Sequence, residues 1–128
     1  MRPTKILVVD DEPDVVLFIA RTLNGEGFDV ISAYDGISAL DLAETEAPDL
    51  VVLDIMMPMM SGYEVCEQLK ANPQTQHIPV VCVSSAHNPN ARDRSREAGA
   101  ATLLLKPFSP AELIAQIKRH LSQSPEAV

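Results

Sequence analysis

The segment Asp10-Asp11-Glu12-Pro13-Asp14 places four carboxylates in five positions with no basic residue among them. Carboxylates that close repel one another and resist ionising together, so the cluster calls for a cation. A further acid, Asp54, ends the most apolar run of the chain, "LVVLDI", where it must be desolvated. Ser84 and Ser85 end "PVVCVSS", and Lys106 follows "ATLLL" and precedes Pro107. Oxygen ligands without histidine or cysteine select a hard cation such as Mg²⁺ or Mn²⁺. Mg²⁺ binds through few carboxylates and leaves positions that phosphoryl oxygens can take. A lysine ammonium and a serine hydroxyl suit further phosphoryl oxygens, and a carboxylate in that setting can itself be the nucleophile, giving an aspartyl phosphate. Each residue alone has a plainer use: Asp11 or Glu12 as a helix cap, Lys106 before a proline as punctuation. The chemistry depends on their being brought to one place.

The elements that would do so are legible as an alternation. Strand-like runs occupy 5–9, 29–33, 50–55, 79–85 and 101–105. All but the second are apolar on consecutive residues, as strands covered on both faces are; "DVISA" is more polar and suits an edge. Helical stripes lie between: Val15, Val16, Ile19, Ala20 and Leu23 in 14–24, with Gly25 as a C-terminal stop; Ile37, Leu40 and Ala43 in 36–46; Val65, Cys66 and Leu69 in 62–71; Leu113, Ile114, Ile117 and Leu121 in 110–121. Ser61–Glu64 and Ser109–Glu112 read as capping boxes, the second with Pro110 at the first helical position. The fourth helical segment, "NARDRSREAGA", offers only Ala91, Ser95 and Ala98 to a core and is expected to be the most loosely held. Alternating strands and helices imply an α/β fold with parallel strands, right-handed crossovers and helices on both faces. In such a sheet, ligands bind at the carboxyl ends of the strands. Asp10, Asp11, Asp54, Ser84 and Lys106 all sit at such ends.

Composition narrows the rest. The chain has 46% hydrophobic and 22% charged residues, and its length suits one domain, 1–128, with a core of about 5–121 and a fraying tail at 122–128. No apolar run approaches the roughly 20 residues of a membrane helix, and the acidic turn after the first strand is no signal peptide. The net charge is −8, with thirteen acids and three bases in residues 1–64, which argues against direct nucleic-acid binding. Cys66 and Cys82 lack metal spacing and read as buried thiols in a reducing cytoplasm. His77, His87 and His120 are scattered singly and read as surface or loop residues. GxGxxG, GxxxxGK[ST] and HExxH are absent, so nucleotide-cradling and zinc-protease readings lack support.

"ILVVDDEPD", "LVVLDIMMPMMSGYE", "IPVVCVSS" and "KPFS" together resemble the receiver domains of two-component response regulators, over residues 5 to about 121. The resemblance implies a flavodoxin-like (βα)5 sandwich with strand order 2-1-3-4-5. It also implies a signalling switch rather than an enzyme: Asp54 takes a phosphoryl group from a phosphohistidine on a sensor histidine kinase or phosphotransfer protein. Asp10 and Asp11 resemble the Mg²⁺-binding pair, with Asp54 and the backbone carbonyl of Met56 completing the protein ligands. Ser84 matches the Ser/Thr switch position, and Lys106 the phosphoryl-contacting lysine, whose bond to Pro107 is usually cis. The output passes to a downstream effector or a fused output domain. Arg92, Arg94 and Arg96 on the fourth helix, with Lys118 and Arg119 on the fifth, offer a basic face for partner docking or a homodimer across the fourth helix, last strand and fifth helix. A solvated charged face is the competing reading.

Three positions depart from the pattern. Leu103 stands where many members carry a Tyr or Phe that swings inward. Met56 and Ala86 are apolar where polar side chains often orient a hydrolytic water. Ser61 replaces an Asp, though serine caps a helix as well. A phosphorylation-independent pseudo-receiver adaptor is the first alternative, supported by Leu103 and opposed by the intact acidic set. A Mg²⁺-dependent phosphohydrolase using Asp54 is the second, opposed by Met56 in place of a second acid and by the lack of spare sequence for a cap. A flavin-binding domain is the third, opposed by the cleft acids, which would repel the flavin phosphate. The apolar Met56 and Ala86 predict slow loss of a phosphoryl group from Asp54, measurable as the decay of radiolabelled protein; decay as fast as in receivers with polar side chains at both positions would contradict it.

Overall fold

The computed structural model describes residues 2–85 and 88–122. Ala86, His87 and the tail 123–128 lie outside the described residues, and with them the expectations for Ala86, His87 and tail fraying. The elements run β1 (Lys5–Val9), α1 (Pro13–Gly25), β2 (Asp29–Ala33), α2 (Gly36–Glu46), β3 (Leu50–Asp54), α3 (Gly62–Ala71), β4 (Val80–Ser85), α4 (Ala91–Glu97), β5 (Thr102–Lys106) and α5 (Pro110–Ser122). All strands are parallel, in the order β2-β1-β3-β4-β5. The flavodoxin-like order implied by the motifs is therefore present, with the polar "DVISA" strand at one edge.

Strand side chains alternate between two faces, so the sheet divides the core in two. Leu7, Val9, Val51, Leu53, Cys82 and Leu103 face the layer built by α2, α3 and α4. Ile6, Val8, Val52, Val81, Val83 and Leu104 face the layer built by α1 and α5, where Ile19, Leu23, Leu113 and Ile117 are fully buried. Cys66 and Cys82 are free and buried, as expected. The hydrogen bond that Cys82 shares with the Cys66 thiol, together with burial, holds it above the usual thiol range, which suits packing rather than reactivity.

Local chemistry sets the element ends. At α5, the Glu112 N–H donates to Ser109 Oγ (3.1 Å) and the Ser109 N–H to Glu112 Oε1 (3.3 Å), a complete capping box. At α3, the Glu64 N–H donates to Ser61 Oγ (3.3 Å), and the reciprocal contact runs from the hydroxyl to Glu64 Oε1 (3.5 Å).

Three expectations are corrected. The turn after α1 is made by Gly27, with φ +88°, whereas Gly25 is the last helical residue; only the former needs the left-handed backbone that glycine permits. Ile37 does not face the core. It is 69% exposed, and α2 buries Gly36, Ala39 and Ala43 instead, with Leu40 and Leu42 partly buried against the same cluster; a Cβ at Gly36 would overlap Met60 and Val65, so the start of the helix sits close to its neighbours. β5 is a second edge, and although Leu103 and Leu104 are buried on its opposite faces, the cover gives out at its carboxyl end, where Leu105 is exposed.

Gly62 is the tightest joint near the strand ends. Its N–H donates to the Ile55 carbonyl (3.1 Å), and a Cβ there would overlap the Asp54 carbonyl and Ile55 Cα. Gly62→Ala is therefore expected to cost about 1–3 kcal/mol in urea unfolding, whereas Gly25→Ala, with open space around it, should be neutral or slightly stabilising. Equal effects would contradict this account of the joint.

Candidate functional site

Parallel register builds the site. Val9 pairs with Leu53, so Asp10 and Asp54 emerge side by side from β1 and β3. Ser85 pairs with Lys106, which brings the ends of β4 and β5 level with them. Of the expected residues, Asp10 (2% exposed), Asp54 (4%) and Ser84 (1%) are buried, and Asp11 and Lys106 are partly exposed.

Backbone donors hold the two buried acids in place. The Glu12 N–H donates to Asp10 Oδ1 (2.9 Å) and the Met56 N–H to Asp54 Oδ1 (3.1 Å). Lys106 Nζ lies 3.5 Å from Asp10 Oδ2, so the ammonium enters the acidic cleft instead of turning to solvent. Ser84 Oγ donates to the Ser85 carbonyl (3.2 Å), a bond it can exchange for a stronger acceptor. The Lys106–Pro107 peptide is cis. No side chain caps α1 at Glu12, which removes the plainer reading of the acids as helix caps.

Electrostatics set this place apart. Burial pushes the Asp54 carboxyl up to about 6, and the neighbouring Asp10 and Asp11 charges push the same way; the Met56 N–H and the Lys106 ammonium oppose them. Oxygens of Asp10, Asp11 and Glu12 come within 4.8 Å of one another. The donor set is all oxygen, which fits Mg²⁺ or Mn²⁺ and not a soft metal. Glu12 was absent from the ligand set read from the motifs, although it belongs to the same acidic run. Also missed was a group beside the β3–α3 connection: Tyr63, with the Arg94 guanidinium 4.0 Å from its ring centroid and Asn88 Nδ2 3.5 Å from its hydroxyl. Tyr63 directly after Gly62 was the only signal in the sequence.

A family model described as response regulator receiver domain matches residues 6–118. The chain is 43% identical over 120 residues to the alkaline phosphatase synthesis transcriptional regulatory protein PhoP of Bacillus subtilis (strain 168), covering 94% of this chain and 49% of that protein. It thus spans about half the length of that curated relative. Among solved structures, the receiver domain of NtrX from Brucella abortus superposes with TM-score 0.87 at 35% identity, over 93% of this chain and 99% of that one. Chemotaxis protein CheY4 of Vibrio cholerae superposes with TM-score 0.87 at 29% identity, over 92% and 98%.

The raised Asp54 carboxyl has a consequence for stability. With chelator present, the unfolded chain ionises Asp54 at the ordinary carboxylate value of 3.8 and the folded chain near 6. Its protonation therefore supports the fold at low pH, and that support is lost as pH rises through about 6. Asp54→Asn, which keeps an acceptor for the Met56 N–H, should stabilise the metal-free protein at pH 7.5 by up to about 3 kcal/mol, with the gain vanishing below about pH 4. Urea unfolding at both pH values checks it; a gain independent of pH would refute the burial account.

Proposed function

The chain belongs to the response regulator receiver domain family, and on that premise we propose that Asp54 accepts a phosphoryl group from a phosphohistidine of a sensor histidine kinase or phosphotransfer protein. Receiver domains are signalling domains of two-component systems, controlled by phosphorylation. The observation that carries the assignment to Asp54 is its burial at the carboxyl edge of the sheet, beside Asp10 and within the field of Lys106.

In the transfer, an Asp54 carboxylate oxygen attacks phosphorus. The P–N bond of the donor breaks as the O–P bond forms, and the departing imidazole nitrogen takes a proton from water. Asp10, Asp11 and Asp54, with the Met56 carbonyl, are the proposed ligands of Mg²⁺ (or Mn²⁺), which when bound offsets the charge of the carboxylates and of the incoming group. Burial keeps Asp54 basic while leaving it largely ionised at neutral pH. The Met56 N–H fixes one carboxylate oxygen, leaving the other to react. Lys106 is placed to leave Asp10 for a phosphoryl oxygen, and Ser84 to exchange the Ser85 carbonyl for another.

The readout proposed for this switch is the α4–β5–α5 face, where Arg92, Arg94 and Arg96 meet an effector, a fused output domain or a second copy. No described helix is long and apolar enough to cross a membrane, and two free buried thiols fit a reducing cytoplasm. The adaptor reading retains one point in its favour: Leu103, buried and without a ring.

Incubation with acetyl phosphate and Mg²⁺, followed by intact mass, tests the reading. The wild type should gain one phosphoryl mass, Asp54→Asn none, and wild type with chelator none. No gain by the wild type would leave the adaptor, and an undiminished gain in Asp54→Asn would move the acceptor elsewhere.

A further inference from the structure

Helix α4 is the least anchored element beside the site. It has seven residues, begins at Asn90 without a side-chain cap, and buries Ala91 and Ser95. The Ser95 hydroxyl is buried beside the Cys82 thiol, a weak acceptor, and has no stronger partner among the described residues. A cavity of about 240 Å³ lies along this helix and β5, lined by Arg92, Ser95, Arg96, Thr102, Leu103 and the intervening turn. A helix this short is not stable by itself, so tertiary contacts decide where it rests, and there is room for it to rest elsewhere.

One such contact leads back to the phosphoacceptor strand. The Arg94 guanidinium stacks 4.0 Å from the ring centroid of Tyr63 and has no carboxylate partner among the described residues. Asn88, between β4 and α4, donates to the Tyr63 hydroxyl at 3.5 Å. Tyr63 is 5% exposed and follows Gly62, whose backbone bears directly on the Asp54 carbonyl and on Ile55. Tyr63, Arg94 and the loop residues Met56, Met57 and Pro58 also line one cavity of about 490 Å³. A cation on the movable helix and the loop after the phosphoacceptor therefore meet around one cavity, with Tyr63 in its wall. Leu103 supplies no ring on β5 to do so.

We propose that Arg94 is a positioning residue whose stack on Tyr63 holds α4 in the state where Asp54 carries no phosphoryl group, and that this stack opens when the site is filled. The inference rests on the phosphoacceptor reading of Asp54. Drawing Ser84 off the Ser85 carbonyl disturbs the end of β4, and the chain from there leads to Asn88 and α4. The stack opposes that movement. Its removal favours the filled state by the equilibrium constant of one cation–aromatic contact at a partly exposed site, about two- to five-fold. By reciprocity, affinity at the filled site tightens by the same factor.

The chain has no tryptophan and two tyrosines, so Tyr34→Phe leaves Tyr63 as the sole tyrosine emitter. In that background, Mg²⁺ with beryllium trifluoride, a tetrahedral phosphoryl analogue, is titrated while Tyr63 emission is followed, and separately by calorimetry. Tyr63 emission should change in step with the heat of binding, and both should vanish in Asp54→Asn. Arg94→Met should flatten the emission change and tighten analogue binding about two- to five-fold. Arg94→Lys, which keeps the cation, should stay near the parent. Tyr63→Leu, read by calorimetry alone, should tighten binding as Arg94→Met does. Heat of binding with silent Tyr63, or Arg94→Met behaving as the parent, overturns this inference and leaves the phosphoacceptor standing. No heat in the parent overturns both.

Discussion

Two carboxylates buried next to each other, Asp10 and Asp54, are the constraint around which this molecule is arranged. Neither has an intrinsic reason to leave water, and their repulsion raises the cost of charging the second. The remaining features of the cleft answer that cost in part: one backbone N–H for each acid, and a lysine that reaches in from the far side of β4. The answer is incomplete, as the elevated Asp54 carboxyl records. A protein that retains such a deficit holds a site ready for positive charge and, once that charge is present, for a negatively charged group as well. Electrostatic tension at rest and responsiveness to phosphorylation are then one property seen under two conditions.

Keeping the acids so close requires a rigid frame, and the parallel sheet supplies it. β1 and β3 are covered on both faces by aliphatic side chains that leave almost no surface in water, so the relative heights of Asp10 and Asp54 follow from strand register. The Gly62 contact fixes the loop after β3 against the same strand end. Helix α4, by contrast, has few buried residues and a buried hydroxyl with no strong acceptor among the described residues. Rigid where charge is concentrated and loose one helix away is the distribution a switch requires.

Much of this was legible before any coordinates. Strands reveal themselves by unbroken apolar runs, and a parallel α/β sheet delivers its strand ends to one edge, so Asp10, Asp54, Ser84 and Lys106 could be gathered by position alone. The strand order and the roles proposed for Met56 and Ser84 came from the motifs' resemblance to receivers and not from periodicity. What escaped notice depended on distance between elements. Ile37 is the largest apolar residue at the start of α2 and still faces water: Gly36 lies close against Met60 and Val65, and the helix turns Ala39 and Ala43 to the core with Leu40 and Leu42 partly buried. Arg94 could be placed on a charged helix face, but nothing in its neighbours along the chain announces an aromatic ring thirty-one positions away. Gly25 and Gly27 are too close together for composition to say which one turns.

The division of the core into two clusters has a consequence for how the protein can vary. Among the described residues, no buried hydrophobic side chain is shared by the α2–α3–α4 layer and the α1–α5 layer; the sheet stands between them as a partition. A substitution that repacks one layer is felt in the other only through strand backbones, which yield little, or at the carboxyl edge, where loops from both layers gather around the acids. Two outer surfaces can therefore drift apart in sequence, each towards its own neighbour in the cell, while obeying a single common signal that neither of them owns.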